Sequence, residues 1–158
     1  MKITKTNALR ILDAQNISYE VRTYPDDGPI NGTAVAAYLG EDPAQVYKTL
    51  VTTGASKQHY VFCIPVEAHL DLKKAAKAVN EKNIEMLPQK ELLPLTGYVH
   101  GGCSPVGMKK PFPTVIQEDC ILYEDLYVSA GKIGMQMHIQ TNDLIRAVGM
   151  SIRDVIEQ

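Results

Sequence analysis

The sequence predicts an α+β domain: a curved, mixed, barrel-like β-sheet flanked by helices. Three observations point there. Strand-like and helical segments do not alternate strictly, which disfavours a doubly wound parallel sheet. Several strand-like runs are joined by short turns, as Val46 to Thr53 and His59 to Val66 are by Gly54 to Gln58. The chain has 158 residues, 45% hydrophobic and 22% charged, a mixture that fits one globular core without staples. With no internal repeat, low-complexity tract or linker, residues 1–158 are expected to form a single domain.

The elements follow in order. Thr6 to Asn16 carries Ala8, Leu9, Ile11 and Leu12 at helical spacing, and Asn16 ends it. Ile17 to Tyr24 alternates and reads as a strand; a loop from Pro25 runs on to Gly32. Thr33 is the expected cap of a short helix to Leu39, with Gly40 as its stop. Asp42-Pro43 reads as an N-cap with proline at the first helical position. The hairpin of Val46 to Thr53 and His59 to Val66 comes next, then a helix from Leu70 to Val79 and a strand from Ile84 to Leu87. Pro88 to Leu95 is a helical turn. Thr114 to Gln117, Leu126 to Ser129 and Met135 to Ile139 are strands. Thr141 is expected to cap a helix closed by Gly149, and Ser151 a last helix from Ile152 to Glu157.

Composition narrows the function classes. No apolar run approaches the roughly 18 residues of a membrane helix. Met1 to Arg10 has no apolar segment of signal-peptide type, so a soluble cytoplasmic protein is expected. Cys63, Cys103 and Cys120 match neither a zinc pattern nor a redox pair, and their odd number argues against a disulfide framework. The four histidines form no HxH or HExxH pattern. Net charge is −2, whereas proteins that grip nucleic acid by bulk electrostatics are usually basic. RNA contact must then be local or shared with another protein. With no Trp and two Phe, base stacking would fall to tyrosine.

Two segments carry the chemistry. In the strand from Val46, alternate side chains share a face, so Val46, Lys48, Leu50 and Thr52 lie on one side and Tyr47, Thr49 and Val51 on the other. Lys48 thus has apolar neighbours. If its face points inward, its ammonium is desolvated and needs a partner or a lowered pKa. If not, its stem reaches water. The run from Gly97 to Lys110 packs four glycines and a proline between apolar stretches. Such a loop exposes backbone N–H groups that can hold a carbonyl oxygen or a phosphate.

The motifs Val46-Tyr-Lys-Thr-Leu50, Leu70-Asp-Leu-Lys-Lys74, Thr96-Gly-Tyr98 leading to Gly101-Gly-Cys-Ser-Pro-Val-Gly107, Met108-Lys-Lys110 and Tyr127-Val-Ser-Ala-Gly-Lys132 occur in that order along nearly the whole chain. Together they resemble the YbaK/EbsC family, free-standing relatives of the editing domain inserted in bacterial prolyl-tRNA synthetase. The resemblance implies a single α+β domain that deacylates mischarged tRNA, typically cysteinyl-tRNA(Pro) and cysteinyl-tRNA(Cys). It implies tRNA as substrate and prolyl-tRNA synthetase as a transient partner, with no DNA, membrane, metal or organic cofactor.

By the same resemblance Lys48 falls on the functional lysine and Thr49 follows it. Gly101 and Pro105 fit the GxxxP substrate loop, with Gly102, Cys103 and Ser104 between them. Tyr19 fits a pocket tyrosine. Two positions depart from the common pattern: Asn31 stands before Gly32 where many relatives have Phe, and Gln136 stands where many have Asp. Both bear on amino-acid choice. Lys73, Lys74, Lys109, Lys110 and Lys132 are expected tRNA contacts, against the plainer reading of solvated surface charges.

The ester between an amino acid and a terminal ribose breaks down through a tetrahedral oxyanion, which backbone N–H groups of Gly101 to Ser104 would hold. The sequence offers no nucleophile paired with a base. Cys103 lacks a visible activator and reads as a small loop residue. The resemblance implies instead that the substrate's own thiol attacks its carbonyl and leaves as a thiolactone. In that scheme Lys48 holds the ribose or the ester oxygens. The rivals are an editing deacylase for alanyl- or seryl-tRNA, and a non-catalytic module that binds a tRNA end or a protein.

Overall fold

The computed structural model describes residues 5–26 and 31–158. Helix α1 (Asn7–Ala14) starts where the Thr6 side chain accepts a hydrogen bond from the Leu9 N–H, and it buries Ala8, Leu9 and Leu12. Strand β1 (Tyr19–Thr23) follows, then α2 (Gly32–Leu39), a 3-10 turn over Pro43–Gln45, and the hairpin of β2 (Tyr47–Gly54) and β3 (His59–Pro65). Asp71 caps α3 (Leu72–Ala78) by accepting from the N–H groups of Lys73 and Lys74. Next come β4 (Ile84–Met86), α4 (Leu92–Thr96), β5 (Thr114–Gln117), β6 (Asp125–Lys132), β7 (Met135–Gln140), α5 (Thr141–Val148) and β8 (Ser151–Arg153). The loop expected from Pro25 to Gly32 falls partly on residues 27–30, which lie outside the described residues.

Among the described residues the strands form two sheets rather than one curved sheet, and no barrel closes. One sheet is antiparallel, in the order β1-β7-β6; the other is mixed, in the order β4-β2-β3-β5-β8. They meet through one parallel bridge, Val46 to Tyr127. Beyond it, β6 breaks register with β7 between Ser129 and Lys132. Such a bulge adds twist and turns a strand away from its neighbour. The edge of β2 that would continue the barrel is covered by β4 only at Thr52 to Gly54.

The larger core cluster gathers Leu9 and Leu12 of α1, Tyr47 and Val51 of β2, and Val128 and Met137 of the three-stranded sheet. A smaller cluster of Phe62, Ile64, Ala75 and Val155 fills the opposite face of the five-stranded sheet. The alternation read from β2 is therefore real: Tyr47 and Val51 face the first core, while Lys48 and Leu50 stand opposite Ile64 and Phe62 of the second.

Three local expectations are corrected. Asn31, not Thr33, caps α2, and its side chain accepts from the Ala34 N–H at 2.8 Å. Thr141 caps nothing; its hydroxyl donates to the Tyr123 carbonyl. The last helix does not form: Ser151–Arg153 pairs in parallel with β5. The reason is tertiary. The edge of β5 is open to a further strand, and the β-branched Ile152, Val155 and Ile156 suit one. Buried Gln117 then fixes the tail. Its carbonyl oxygen accepts from the Val155 N–H at 2.7 Å, and its amide nitrogen donates to Asp154 at 3.0 Å. Lys74 adds bonds to Asp154 and to the Ile156 carbonyl.

Gln117→Ala strands the buried Val155 N–H, so it should cost about 1–3 kcal/mol. Urea unfolding measures this directly; a loss under about 0.5 kcal/mol would mean the tail is held by other contacts.

Candidate active site

Where the two sheets part, a cavity of about 380 Å³ opens. Its walls come from distant parts of the chain: Lys48 and Thr49 of β2, Asn31 and Thr33 at the start of α2, the loop residues His100, Gly101 and Cys103, and Ser129, Met135 and Gln136 of the three-stranded sheet. The short reach of β4 explains the first contribution. Residues 48–50 border open space on the side that β4 does not cover, so both faces of the strand edge reach the cavity.

Lys48 is half-buried there. Burial pulls its pKa below the ordinary lysine value, because desolvation penalises the ammonium. No described carboxylate lies within ion-pair distance of it. Among the described residues the cation is therefore presented to the cavity rather than spent on the fold. Thr49 sits beside it, with its hydroxyl 3.9 Å from the Cys63 sulfur.

The glycine loop forms the facing wall. Gly101 has φ of +88°, a left-handed conformation that side-chain-bearing residues rarely adopt. A Cβ on Gly102 would come within 2.8 Å of the Ile133 nitrogen, so the loop can lie flat on the β6–β7 turn only with glycine there. The expected set of four N–H donors is reduced. The Gly102 N–H is already bonded to the Val99 carbonyl at 3.0 Å. The N–H groups of Gly101 and Cys103, both on the cavity wall, have no acceptor among the described residues.

Other expected site residues divide. Asn31 lines the cavity, but its side-chain oxygen is occupied as the α2 cap. Ser104 is buried, and its hydroxyl oxygen accepts from the Val106 N–H. Pro105 turns away from the Lys48 cavity and lines a smaller one of about 210 Å³ between the loop, α1 and α5. Tyr19 is a correction: it does not line the cavity, because its hydroxyl is tied to Asp13 at 2.8 Å and to the Lys5 ammonium at 2.7 Å.

None of the five expected tRNA-contact lysines lines the cavity. Lys74 is withdrawn from that role by its ion pair with Asp154 at 2.9 Å. Lys73, Lys109, Lys110 and Lys132 are exposed. Lys132 ends β6 beneath Gly102, and Lys109 follows the loop, its stem against Gly97.

Cys103 is no nucleophile. Burial pushes its thiol up to about 12, so no thiolate forms near neutrality. Sequence reasoning gave no role to Ser129, which lines the cavity beside the β6 bulge; its hydroxyl accepts from the Gly131 N–H at 3.1 Å. No described histidine bonds to it.

Gln136 is buried, and its side-chain amide ends 2.7 and 2.9 Å from the two oxygens of Glu41; against an ionised Glu41 the end that faces it is the nitrogen, which donates to both. The Glu41 side chain is 1% exposed, and the Arg22 guanidinium stands 3.8 Å away. Burial outweighs that cation and raises the Glu41 carboxyl to about 7.

Comparison with known proteins places these features. The family model for the aminoacyl-tRNA editing domain matches residues 32–147. A relative from Enterococcus faecalis, EbsC, named as a candidate Cys-tRNA(Pro)/Cys-tRNA(Cys) deacylase, is 43% identical over 136 residues, covering 85% of this chain and 83% of the relative. A solved structure of a candidate trans-editing enzyme for prolyl-tRNA synthetase superposes with a TM-score of 0.86 at 24% identity, covering 96% of each chain. A scaffold used in computational epitope grafting gives 0.85, also at 24% identity and 96% of each chain. These two structures speak to the fold alone. Among the described residues, no helix is long and apolar enough to cross a membrane.

The raised Glu41 carboxyl has a signed consequence. The folded chain holds this proton more tightly than the unfolded chain, so Glu41 removes stability as pH rises from about 4.5 to about 7. Glu41→Gln lacks that cost. In urea unfolding its stability relative to the wild type should climb through this window and level off above it. A difference independent of pH would contradict the assignment.

Proposed function

The chain belongs to the aminoacyl-tRNA editing domain family, and from that premise we propose that it clears cysteine from mischarged tRNA in trans. Cysteinyl-tRNA(Pro) is the main substrate and cysteinyl-tRNA(Cys) a further one. The observation that carries the reading is the pairing across one cavity of a lysine ammonium with a glycine-built wall of N–H groups, both without a partner among the described residues. The 43% identity to the Enterococcus faecalis relative supports the choice of cysteine.

In this reading residues 1–158 act as one editing domain. The charged 3′ end enters the cavity. Lys48 holds the terminal ribose or the ester oxygens, and the N–H groups of Gly101 and Cys103 receive the oxyanion. Donors aimed at such an oxygen are each worth roughly 3–4 kcal/mol. Thr49, Gly102 and Ser104 support these two walls, Pro105 fixes the exit of the loop, and Gln136 and Asn31 shape the amino-acid end.

The cavity offers no activated protein nucleophile among its described residues, since the Cys103 thiol is fully protonated and Ser129 has no base. The substrate supplies one. Its thiol sulfur bonds to the carbonyl carbon, the carbon–oxygen ester bond breaks, and the thiol proton passes to the departing ribose oxygen. The products are a thiolactone and free tRNA. Holding sulfur and carbonyl in near-attack geometry is the source of rate.

Tyr19 and Lys74 drop out of the binding set, because both are committed to internal bonds. Lys109, Lys110 and Lys132 remain as phosphate contacts around the loop, with Lys73 a more distant one. So few charges on a chain of net −2 make a weak tRNA grip. A transient complex with prolyl-tRNA synthetase would supply tRNA selection.

A panel of mischarged tRNAs, with and without prolyl-tRNA synthetase, tests the substrate. Cysteine release should dominate; strong alanine or serine release without cysteine release would overturn the specificity. Lys48→Met should lower deacylation by about 100-fold or more. Its thermal midpoint at pH 7 should not fall, because a desolvated charge has been removed. Near-normal turnover would remove Lys48 from the site. Trapping the first product separates cyclisation from hydrolysis: free cysteine from the outset, with no thiolactone, would make water the nucleophile.

A further inference from the structure

Glu41 is a buried carboxylate that the deacylation scheme above leaves without a task. It follows Gly40, the left-handed cap of α2, and its own N–H returns to the Ala36 carbonyl at 2.9 Å. That turn folds the side chain inward. Around it stand Arg22 of β1, Gln136 and His138 of β7, and Tyr127 of β6. Arg22 is shared with the exposed Glu20, and His138 is bonded through Nε2 to Asp125 at 2.7 Å. The shortest contacts Glu41 makes are to the Gln136 amide, through both carboxylate oxygens.

Register shows where this leads. Arg22, Gln136 and Ser129 are direct cross-strand partners, one row across the three-stranded sheet. Side chains in such a row share a face. Gln136 and Ser129 line the cavity, whereas Glu41 does not. Among the described residues, Glu41 therefore meets the cavity through Gln136. An amide whose nitrogen is fixed on a carboxylate must turn its oxygen the other way.

Resting on the editing reading, we infer that Glu41 is a positioning residue that locks the Gln136 amide with its oxygen toward the cavity, where that oxygen accepts a hydrogen bond from the α-ammonium of the esterified amino acid. The electrostatics agree. The Lys48 ammonium repels a second cation, so the substrate's ammonium belongs at the end away from β2. A neutral oxygen there is a modest acceptor. Ionised Glu41, one hydrogen bond behind, polarises it and adds a negative field in a low-dielectric setting. An arriving ammonium in turn favours the ionised carboxylate. The site thereby prefers a free amino group, and amine-free or N-blocked acyl ends lose that contact.

Binding at neutral pH separates this role from a structural one. The probes are two stable amide-linked adenosines, one carrying a cysteinyl group and one a 3-mercaptopropionyl group, which differs only in lacking the amine. Calorimetry on the wild type should show about tenfold tighter binding of the cysteinyl probe. Glu41→Gln keeps the size but loses the charge and the lock. It should bring the ratio to about one or two, with little change for the amine-free probe. The double variant Glu41→Gln/Gln136→Glu moves the carboxylate to the cavity wall and should restore the preference. An unchanged ratio in Glu41→Gln, an equal loss for both probes, or no preference in the wild type would each overturn the inference. Turnover of cysteinyl-tRNA(Pro) is measured separately. Absent turnover with an intact, Glu41-dependent ratio would defeat the editing reading and leave the Glu41 lock standing.

Discussion

A half-buried lysine ammonium with no described carboxylate to neutralise it carries a desolvation cost that the surrounding fold must offset. Lys48 is in that position. Its strand is secured on one side by the full length of β3, from Tyr47–Pro65 to Thr53–His59. On the other side β4 reaches only Thr52 to Gly54, and the edge beside Lys48 is left to the cavity. The parted sheets, the bulge in β6 and the flattened glycine loop are all arranged around that open edge.

The cavity is electrostatically divided. A cation stands on β2, and a carboxylate stands behind Gln136 on the opposite wall, withdrawn by one hydrogen bond. Between them lies a neutral stretch of main chain, where the N–H groups of Gly101 and Cys103 have no acceptor among the described residues. An aminoacyl ester has the complementary order: an ammonium at one end, a polar ribose at the other, and a carbonyl between. The same arrangement accounts for the inert Cys103. Burial keeps its thiol protonated, so in the proposed scheme it does not compete with the substrate's sulfur.

Much of this was legible in the sequence where local chemistry decides. The hydrophobic alternation of β2 put Lys48 on its correct face, Gly40 and Gly149 marked true helix ends, and the glycine run marked the loop. The motif order carried the family. What failed depended on partners far along the chain. Ile152 to Glu157 has a serine before it and an apolar pattern that suits a short helix. The open edge of β5 and the grip of Gln117 made it a strand. Asn31 took the cap expected of Thr33, two residues later. Tyr19 was drawn out of the site by Asp13 and Lys5, and Lys74 by Asp154. Glu41 and Ser129 escaped notice because nothing in their neighbourhoods distinguishes them; only cross-strand register brings Ser129 to Gln136, and only the inward turn after Gly40 brings Glu41 behind it.

The most direct test of the central claim is the titration of Lys48 itself, followed through the side-chain nitrogen by nitrogen-15 NMR, with and without a stable cysteinyl-adenosine amide. Desolvation predicts a midpoint below that of the exposed lysines, and ligand contact predicts a shift confined to this one lysine. A Lys48 that titrates with the surface lysines and ignores the ligand would contradict the account.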